Sequence, residues 1–258
     1  MSVETGLRLA LVPAAIWLAT LAARRWGHAV SGYLGGLPLI GGPITLFLAL
    51  DHGGEFAARS ATYTLAAILG QAAHLLAFAH ASRLGASWPA ALAAGWAGFL
   101  AVALFSASLE PGPYLALAFA IAALAAAWLF LPKPRQPAVP VHIPPAELRL
   151  RLAAAVVLAA TILWAADAFG PVASGVLLSM PVTGSIMPPF TLALYGADAV
   201  SRLTRGFVVG LTGFTAFFFT VATTLVAWGA LAAFTAAVAA ALAGAFFASR
   251  NLHIATVG

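Results

Sequence analysis

Two polar side chains, Gln71 and His74, lie one helical turn apart within an apolar part of the sequence. Residues with this spacing share one face of an α-helix, so both side chains point toward the same neighbour. Ionisable residues inside a membrane span are costly and mark candidate functional sites. Two interpretations stay open for His74: it accepts a proton in a coupled cycle, or it stays neutral and hydrogen-bonds a neighbouring helix.

Two other apolar segments are interrupted by clusters of proline, glycine and hydroxyl residues. Proline removes a backbone donor and clashes with the preceding turn, so each helix is expected to break there. The N–H groups and positive dipole at the start of a half-helix suit an anion or a carbonyl. Alternatively, the small residues only permit close helix packing. The candidate binding residues in these clusters are Gly36, Pro38, Gly41, Gly42, Ser179, Pro181, Thr183, Gly184 and Ser185.

The remaining candidates are one threonine and two charged pairs. Thr212, with Thr215, is expected to line a polar path facing Gln71, although threonine also bonds its own helix backbone. The charged pairs have i,i+4 spacing at the ends of predicted spans, and each is a candidate gate. The alternative, which we favour, is a helix-end ion pair without a further role. The pairs are Glu55 with Arg59 and Asp198 with Arg202.

No constellation typical of an enzyme or a cofactor site occurs in the sequence. Cysteine is absent, which excludes disulfides and thiolate chemistry. The phosphate-binding motif Gly-x-x-x-x-Gly-Lys is also absent, and the six histidines are scattered without metal-ligand spacing. The sequence therefore predicts neither an enzyme, nor a resident metal, nor any cofactor.

These residues must be positioned by membrane-spanning helices. The chain is 63% hydrophobic and only 7% charged, with a mean hydropathy of +1.01. Soluble domains carry about 25% charged residues, so most of this surface is expected to face lipid. A spanning helix needs about 20 apolar residues, and charges and Pro/Gly clusters divide the chain into about nine of them. The predicted spans are 7–23, 30–50, 58–80, 88–109, 113–131, 149–168, 172–195, 203–227 and 229–249.

Basic residues are distributed unevenly between the two faces that nine spans create. Two lie on the face that holds the N-terminus, and ten lie on the opposite face. Because Lys and Arg are concentrated in cytoplasmic loops, we predict a periplasmic N-terminus and a cytoplasmic C-terminus in a bacterial inner membrane. The proline-rich linker at 132–147 is then cytoplasmic as well. The net charge of +5 is attributed to this topology and not to nucleic-acid binding.

The sequence contains an internal repeat. Val30–Gln71 aligns without a gap over Ala173–Phe214, and Pro, Gly, Arg and acidic residues match in this one register. We call two residues that this alignment pairs repeat equivalents. Equivalent helices are five spans apart, so the copies are expected to have opposite orientations. We therefore predict an all-α polytopic membrane protein with two inverted four-helix repeats joined by a linking helix. In this single membrane domain, repeat 1 is 1–110, the linking span and proline-rich linker are 111–147, and repeat 2 is 148–258.

The repeated motif resembles the small bacterial inner-membrane proteins of the GlpM-like type. Those proteins carry one four-span unit, so the resemblance implies that this chain is a tandem fusion of two such units. It implies an architecture and a location, but no substrate. The matching residues are Gly175, Pro181, Gly196, Asp198, Ala199 and Arg202, and more loosely Gly32, Pro38, Gly53, Glu55 and Arg59.

Interrupted helices at equivalent places in inverted repeats are typical of secondary transporters. The leading hypothesis is therefore a secondary active transporter or exporter of a small solute, with anions among the candidates. His74 would couple protons, and Gln71 would hydrogen-bond the substrate or a neighbouring helix. The alternatives are a passive channel of the same symmetry and a non-transporting membrane subunit of an envelope-biosynthesis complex. Expected partners are membrane lipid and a small-molecule solute, with a homodimer left open and no nucleic acid.

Overall fold

The computed structural model of the chain describes residues 25–136 and 145–251, together with Ala14, Trp17 and Leu21. Every regular element in these ranges is an α-helix. Most of the predicted span 7–23 and residues 137–144 of the predicted linker lie outside the described residues. The helices are α1 (25–35), α2 (Gly41–His52), α3 (Gly54–Ala66), α4 (Ile68–Arg83), α5 (Trp88–Ser108), α6 (Pro113–Phe130), α7 (Pro145–Leu178) and α8 (Val182–Asn251).

Four helical stretches of the described chain are long and apolar enough to cross a membrane. They are Gly54–Arg83, Trp88–Ser108, Pro113–Phe130 and Ala168–Arg250. The prediction of an all-helical chain is confirmed for the described residues, and their long apolar helices are compatible with a membrane protein. The count of nine spans and the repeat arrangement stay predictions. The predicted spans 88–109 and 113–131 agree closely with α5 and α6, whereas the span predicted at 58–80 extends further at both ends.

Single glycines with positive φ break the long helices. A continuous 70-residue α8 would be about 105 Å long, more than three times the hydrocarbon thickness of a bilayer. Gly196 and Gly229 have φ of 77° and 74°, a left-handed conformation that glycine adopts without a steric penalty. They divide α8 into 182–195, 197–228 and 230–251. Gly170 divides α7 in the same way, and Gly53 separates α2 from α3 with φ 90°.

Helices α6 and 230–251 bury alanines, and many large apolar side chains lie on the outer surface of the protein. Leu231 is 86% exposed and Phe105 63%, while buried alanines recur along the inner faces of the helices. Soluble monomers rarely expose large continuous apolar patches, so this outer surface fits lipid. Small residues inside allow the close backbone contacts that hold membrane helices together. The alanines are Ala116, Ala120, Ala233, Ala237, Ala241 and Ala245.

Two helix crossings bring backbone directly against backbone. A Cβ atom at Gly32 of α1 would lie 2.0 Å from the carbonyl oxygen of Leu203. A Cβ atom at Gly175 of α7 would lie 2.5 Å from the carbonyl oxygen of Ser60 in α3. Thr64 also donates a hydrogen bond from Oγ1 to the Gly175 carbonyl at 3.1 Å. These crossings hold the two interrupted segments against the long helices α3–α4 and 197–228.

Candidate functional site

The chain leaves the helical conformation at both Pro/Gly clusters. Residues 36–40 separate α1 from α2, and residues 179–181 separate α7 from α8. In the first turn after each break, a proline carbonyl accepts a backbone hydrogen bond. The Pro38 carbonyl accepts from Gly42 N at 2.9 Å, and the Pro181 carbonyl accepts from Ser185 N at 2.6 Å. The helix breaks predicted from these two prolines are confirmed.

A small cavity lies between the two breaks, with a volume of about 50 Å³. One water molecule needs roughly 10–15 Å³ of such volume, so the cavity holds a few waters or a small ion. Apolar side chains of 197–228, including Phe207, Leu211 and Phe214, cover one side. Of the predicted binding residues, Gly36, Gly41, Gln71, Pro181, Thr183 and Gly184 line it.

Gln71 reaches across to the second break. Its Nε2 donates to the carbonyl of Ser179 at 2.7 Å, a carbonyl that lies in the turn after α7. The hydroxyl of Ser179 turns the other way and donates to Val176 in its own helix at 2.7 Å. Ser179 therefore contributes its backbone to the site, and its side chain points elsewhere.

His74 is fully buried, with 0% of its surface exposed, and it also contacts the second break. Its Nε2 lies 3.3 Å from the carbonyl oxygen of Gly184. A carbonyl only accepts, so this contact assigns the ring hydrogen to Nε2 and leaves Nδ1 as a bare acceptor. Within the described part of the chain Nδ1 has no hydrogen-bond partner. Gly95 of α5 fits against it, where a Cβ atom would lie 2.9 Å from Nδ1.

Other predicted binding residues lie outside this cavity. A Cβ atom at Gly42 would lie 3.2 Å from the Phe217 ring, so this glycine is covered by an aromatic side chain. Ser185 has a buried hydroxyl without a hydrogen-bond partner among the described residues. Thr212 donates to Val209 at 2.7 Å and to Gly244 at 3.3 Å. Thr212 therefore joins two helices and does not face Gln71, and Pro38 is likewise absent from the cavity lining.

At the end of α4 the charged residues form a different arrangement from the predicted i,i+4 pair. Asp198 does not bind Arg202; its Oδ1 accepts from Arg83 Nη2 at 2.6 Å and from the Arg135 backbone N at 2.8 Å. The same Arg83 Nη2 lies 3.0 Å from Ser201 Oγ and 2.7 Å from the Lys133 carbonyl oxygen. A carboxylate binds the nearest well-oriented guanidinium, and here that group comes from another helix.

Two further arginines fasten the end of α6 to 197–228. Arg202 is only 6% exposed and donates from Nη2 to the Gln136 carbonyl. Arg205 donates to the carbonyls of Trp128 and Leu131, each at 3.2 Å, and its guanidinium lies 4.0 Å from the Trp128 ring centre. Arginine over tryptophan is a favourable cation–π arrangement. We name this set of contacts, Arg83–Asp198 together with Arg202 and Arg205, the basic clamp.

The other predicted gate pair has no such contacts. Glu55 and Arg59 are both exposed at the start of α3, and no ion pair joins them among the described residues. Over the same residues, no group of three or more His, Asp or Glu lies close enough to hold a metal ion.

No family model matches the chain, and no curated protein or solved structure matches it. The resemblance to the GlpM-like proteins therefore stays a prediction.

Sequence reasoning missed two residues of this site. In the sequence, Arg83 is one of the ten basic residues on the predicted cytoplasmic face, and its partner Asp198 is 115 positions away. Gly95 lies in an ordinary apolar helix, and nothing in its spacing links it to His74. Neither contact leaves a local pattern in the sequence.

Proposed function

We propose that the protein is a small secondary transporter of the bacterial inner membrane, with about nine spans arranged as two inverted repeats. A small solute would cross at the cavity between the paired helix breaks. The observation that carries this proposal is that two breaks, far apart in sequence, meet around one cavity beside Gln71. Equivalent interruptions in two halves are a pointer to a transport site.

Reciprocal contacts support the repeat. Gly32 packs on the backbone of Leu203, while Gly175 packs on that of Ser60. Gly175 is the repeat equivalent of Gly32, and Leu203 is the repeat equivalent of Ser60. A contact and its exchanged copy are what a two-fold axis between similar units generates. The positive-φ residues Gly53 and Gly196 are also repeat equivalents.

A second pair of contacts recurs within each half. A Cβ atom at Gly70 would lie 2.8 Å from the Cβ of Ala103, and one at Gly213 would lie 3.0 Å from the Cβ of Ala245. Gly213 is the repeat equivalent of Gly70. If the same alignment is continued along the chain, Ala245 lies one position before the residue that pairs with Ala103. The repeat thus extends in space to the helices α5 and 230–251, where the sequences no longer align visibly.

The direction of the helices supports inversion. Gly32 lies against Leu203, and Gly54, further along the chain, lies against Leu225. Residue numbers increase in the same direction in both segments, so 29–54 runs parallel to 197–228. Gly184 precedes Gly196 in the sequence and Leu211 follows it, yet both line the same cavity. The chain must therefore reverse direction at Gly196. The first interrupted segment therefore runs against its copy, as in alternating-access transporters with inverted repeats.

In the proposed cycle the cavity is the solute-binding site. Its small volume favours a small ion or a compact solute, and the helix starts beside it offer partial positive charge to an anion. His74 takes up a proton at Nδ1, which has no hydrogen-bond partner among the described residues. Protonation converts a neutral contact with Gly184 into a charged one. The basic clamp closes the predicted cytoplasmic end, so the gate assigned to Asp198 uses Arg83 in place of Arg202.

The test is flux through the pure protein in liposomes with an imposed pH gradient, across a panel that includes small monovalent anions. We expect saturable, gradient-dependent uptake that His74→Gln greatly reduces and that His52→Gln, at an exposed histidine of α2, leaves intact. Absence of gradient-dependent flux for every solute contradicts the proposal. Fast flux that neither saturates nor responds to the gradient favours the passive channel instead.

A further inference from the structure

A second cavity, of about 390 Å³, lies next to the basic clamp and is separate from the first. Its lining residues come from the end of α4 and from the chain that follows α6. The volume is several times that of the cavity between the breaks, so it accepts a group much larger than water. The lining residues are His80, Arg83, Pro132, Lys133, Pro134 and Arg135.

The charge of this cavity is strongly positive. Three of its lining residues are Lys or Arg, and Asp198 is the carboxylate bonded to Arg83 and to the Arg135 backbone. The structure gives the side chains of Lys133 and Arg135 no acidic partner among the described residues. Positive loops are expected on the cytoplasmic face, but that rule does not require basic residues from separate elements to converge on one cavity.

Unpartnered buried nitrogens accompany this excess charge. Arg83 Nε is buried and has no hydrogen-bond partner within the described chain, and the same holds for Nη1 of Arg202. Arg202 is only 6% exposed, and its Nη2 bonds the carbonyl of Gln136, the residue that follows the cavity-lining Arg135. Leaving a buried charged donor without an acceptor costs free energy. An anion with several oxygens would supply the missing acceptors.

We propose that this cavity binds a phosphate group, presented either by an anionic lipid headgroup or by a soluble phosphate. Arginine recognises phosphate oxygens through its planar fork of N–H donors, and lysine adds a point charge. Basic pockets between helices on the cytoplasmic side of a membrane characteristically hold lipid headgroups. The proposal rests on charge and shape alone and is independent of whether the protein transports a solute.

The test measures binding to the full chain purified in a neutral detergent. Its melting temperature is followed while phosphatidylglycerol, phosphatidylcholine or inorganic phosphate is added at constant ionic strength. The test variant is Lys133→Gln with Arg135→Gln. Only side chains are changed, so the backbone contacts of Lys133 with Arg83 and of Arg135 with Asp198 remain. The control is Arg25→Gln with Arg250→Gln, which removes the same charge at exposed positions away from the cavity.

We expect phosphatidylglycerol or phosphate, but not phosphatidylcholine, to stabilise the wild-type protein. The test variant should bind about 30-fold more weakly, because each basic residue near an anionic surface contributes a factor of about five. Stabilisation by the lipid alone identifies a headgroup site, and stabilisation by phosphate identifies a soluble-anion site. Equal weakening in the control variant, or no preference for an anion, overturns the proposal. Neither result bears on the flux assay.

Discussion

The two helix breaks share a backbone shape but differ in what covers them. The break at Pro181 contacts Gln71 and His74 of α4, which face the carbonyls of Ser179 and Gly184. The break at Pro38 is covered by aromatic rings, with Phe217 against Gly42 and Phe218 against Gly41. The opening of the helix is therefore common to both halves, whereas in the described chain the polar side chains of α4 contact only the second one.

The two charged helix ends differ in the same way. Asp198 is bound by Arg83 and the backbone of Arg135, while its repeat equivalent Glu55 is exposed. When the same offset is continued along the chain, Arg83 corresponds to Val226, which carries no charge and is 61% exposed. The two ends share a framework, but only the Asp198 end is held by an ion pair among the described residues.

The largest effect is expected where the two halves are alike. Gly32→Ala would place a Cβ atom 2.0 Å from a backbone oxygen, and Gly175→Ala would place one 2.5 Å from another. No adjustment of a side chain relieves either contact. Each should lower the free energy of unfolding by about 3 kcal/mol or more, the upper end of what overpacking costs in well-packed cores, because the clash is with backbone. Thermal unfolding in detergent measures this.

Gly112→Ala is the matched control, because nothing lies within 4 Å of the position that its Cβ atom would take, and its φ is −72°. If either crossing variant melts like this control, the backbone contact does not hold the halves together.

The features predicted from sequence are those that leave local patterns. Apolar composition predicted the helices, and Pro38 and Pro181 predicted where two of them break, since proline acts on its own turn. Gln71 and His74 were predicted to share a face from their spacing alone, and both contact the second break. Each of these inferences needs only the residue and its neighbours in the chain.

The features that sequence reasoning missed depend on packing between distant elements. Asp198 and Arg202 have ideal helical spacing, yet the carboxylate binds Arg83 and the guanidinium binds Gln136, because α4 and the chain after α6 both contact helix 197–228 there. Thr212 likewise bonds Gly244 of a different helix, 230–251. Polar side chains choose among partners in three dimensions, and one sequence does not specify those partners.

An intermediate effect is expected from making the two breaks more alike. His74→Phe introduces the residue type found at position 217 and leaves the Gly184 carbonyl without its donor. Loss of a partner for a buried polar group costs about 1–3 kcal/mol. We therefore expect a lower melting temperature and loss of gradient-driven flux, measured on the same preparation in liposomes.

The reciprocal substitution sharpens this result. Phe217→His places a polar ring against Gly42, where the described contacts are aromatic. Combining it with His74→Phe moves the histidine to the other half, and this double variant should remain inactive because the Gly184 and Gly95 surroundings are not duplicated. Full flux in the His74→Phe variant contradicts a role for the histidine in coupling.

The smallest effect is expected from neutralising the two equivalent acids. Asp198→Asn weakens an ion pair whose side chains are 17% and 22% exposed, and partly exposed pairs contribute no more than about 1 kcal/mol. The free energy of unfolding should therefore change little, but the end of the protein held by Arg83 and Asp198 should open more often.

A Leu131→Cys background reports this opening. Leu131 is buried at the basic clamp, its carbonyl bond to Arg205 survives the substitution, and the chain has no other cysteine. Thiol labelling at position 131 should accelerate severalfold in Asp198→Asn and remain unchanged in Glu55→Gln. Equal rates in both variants would mean that the asymmetry between the two ends has no consequence for opening.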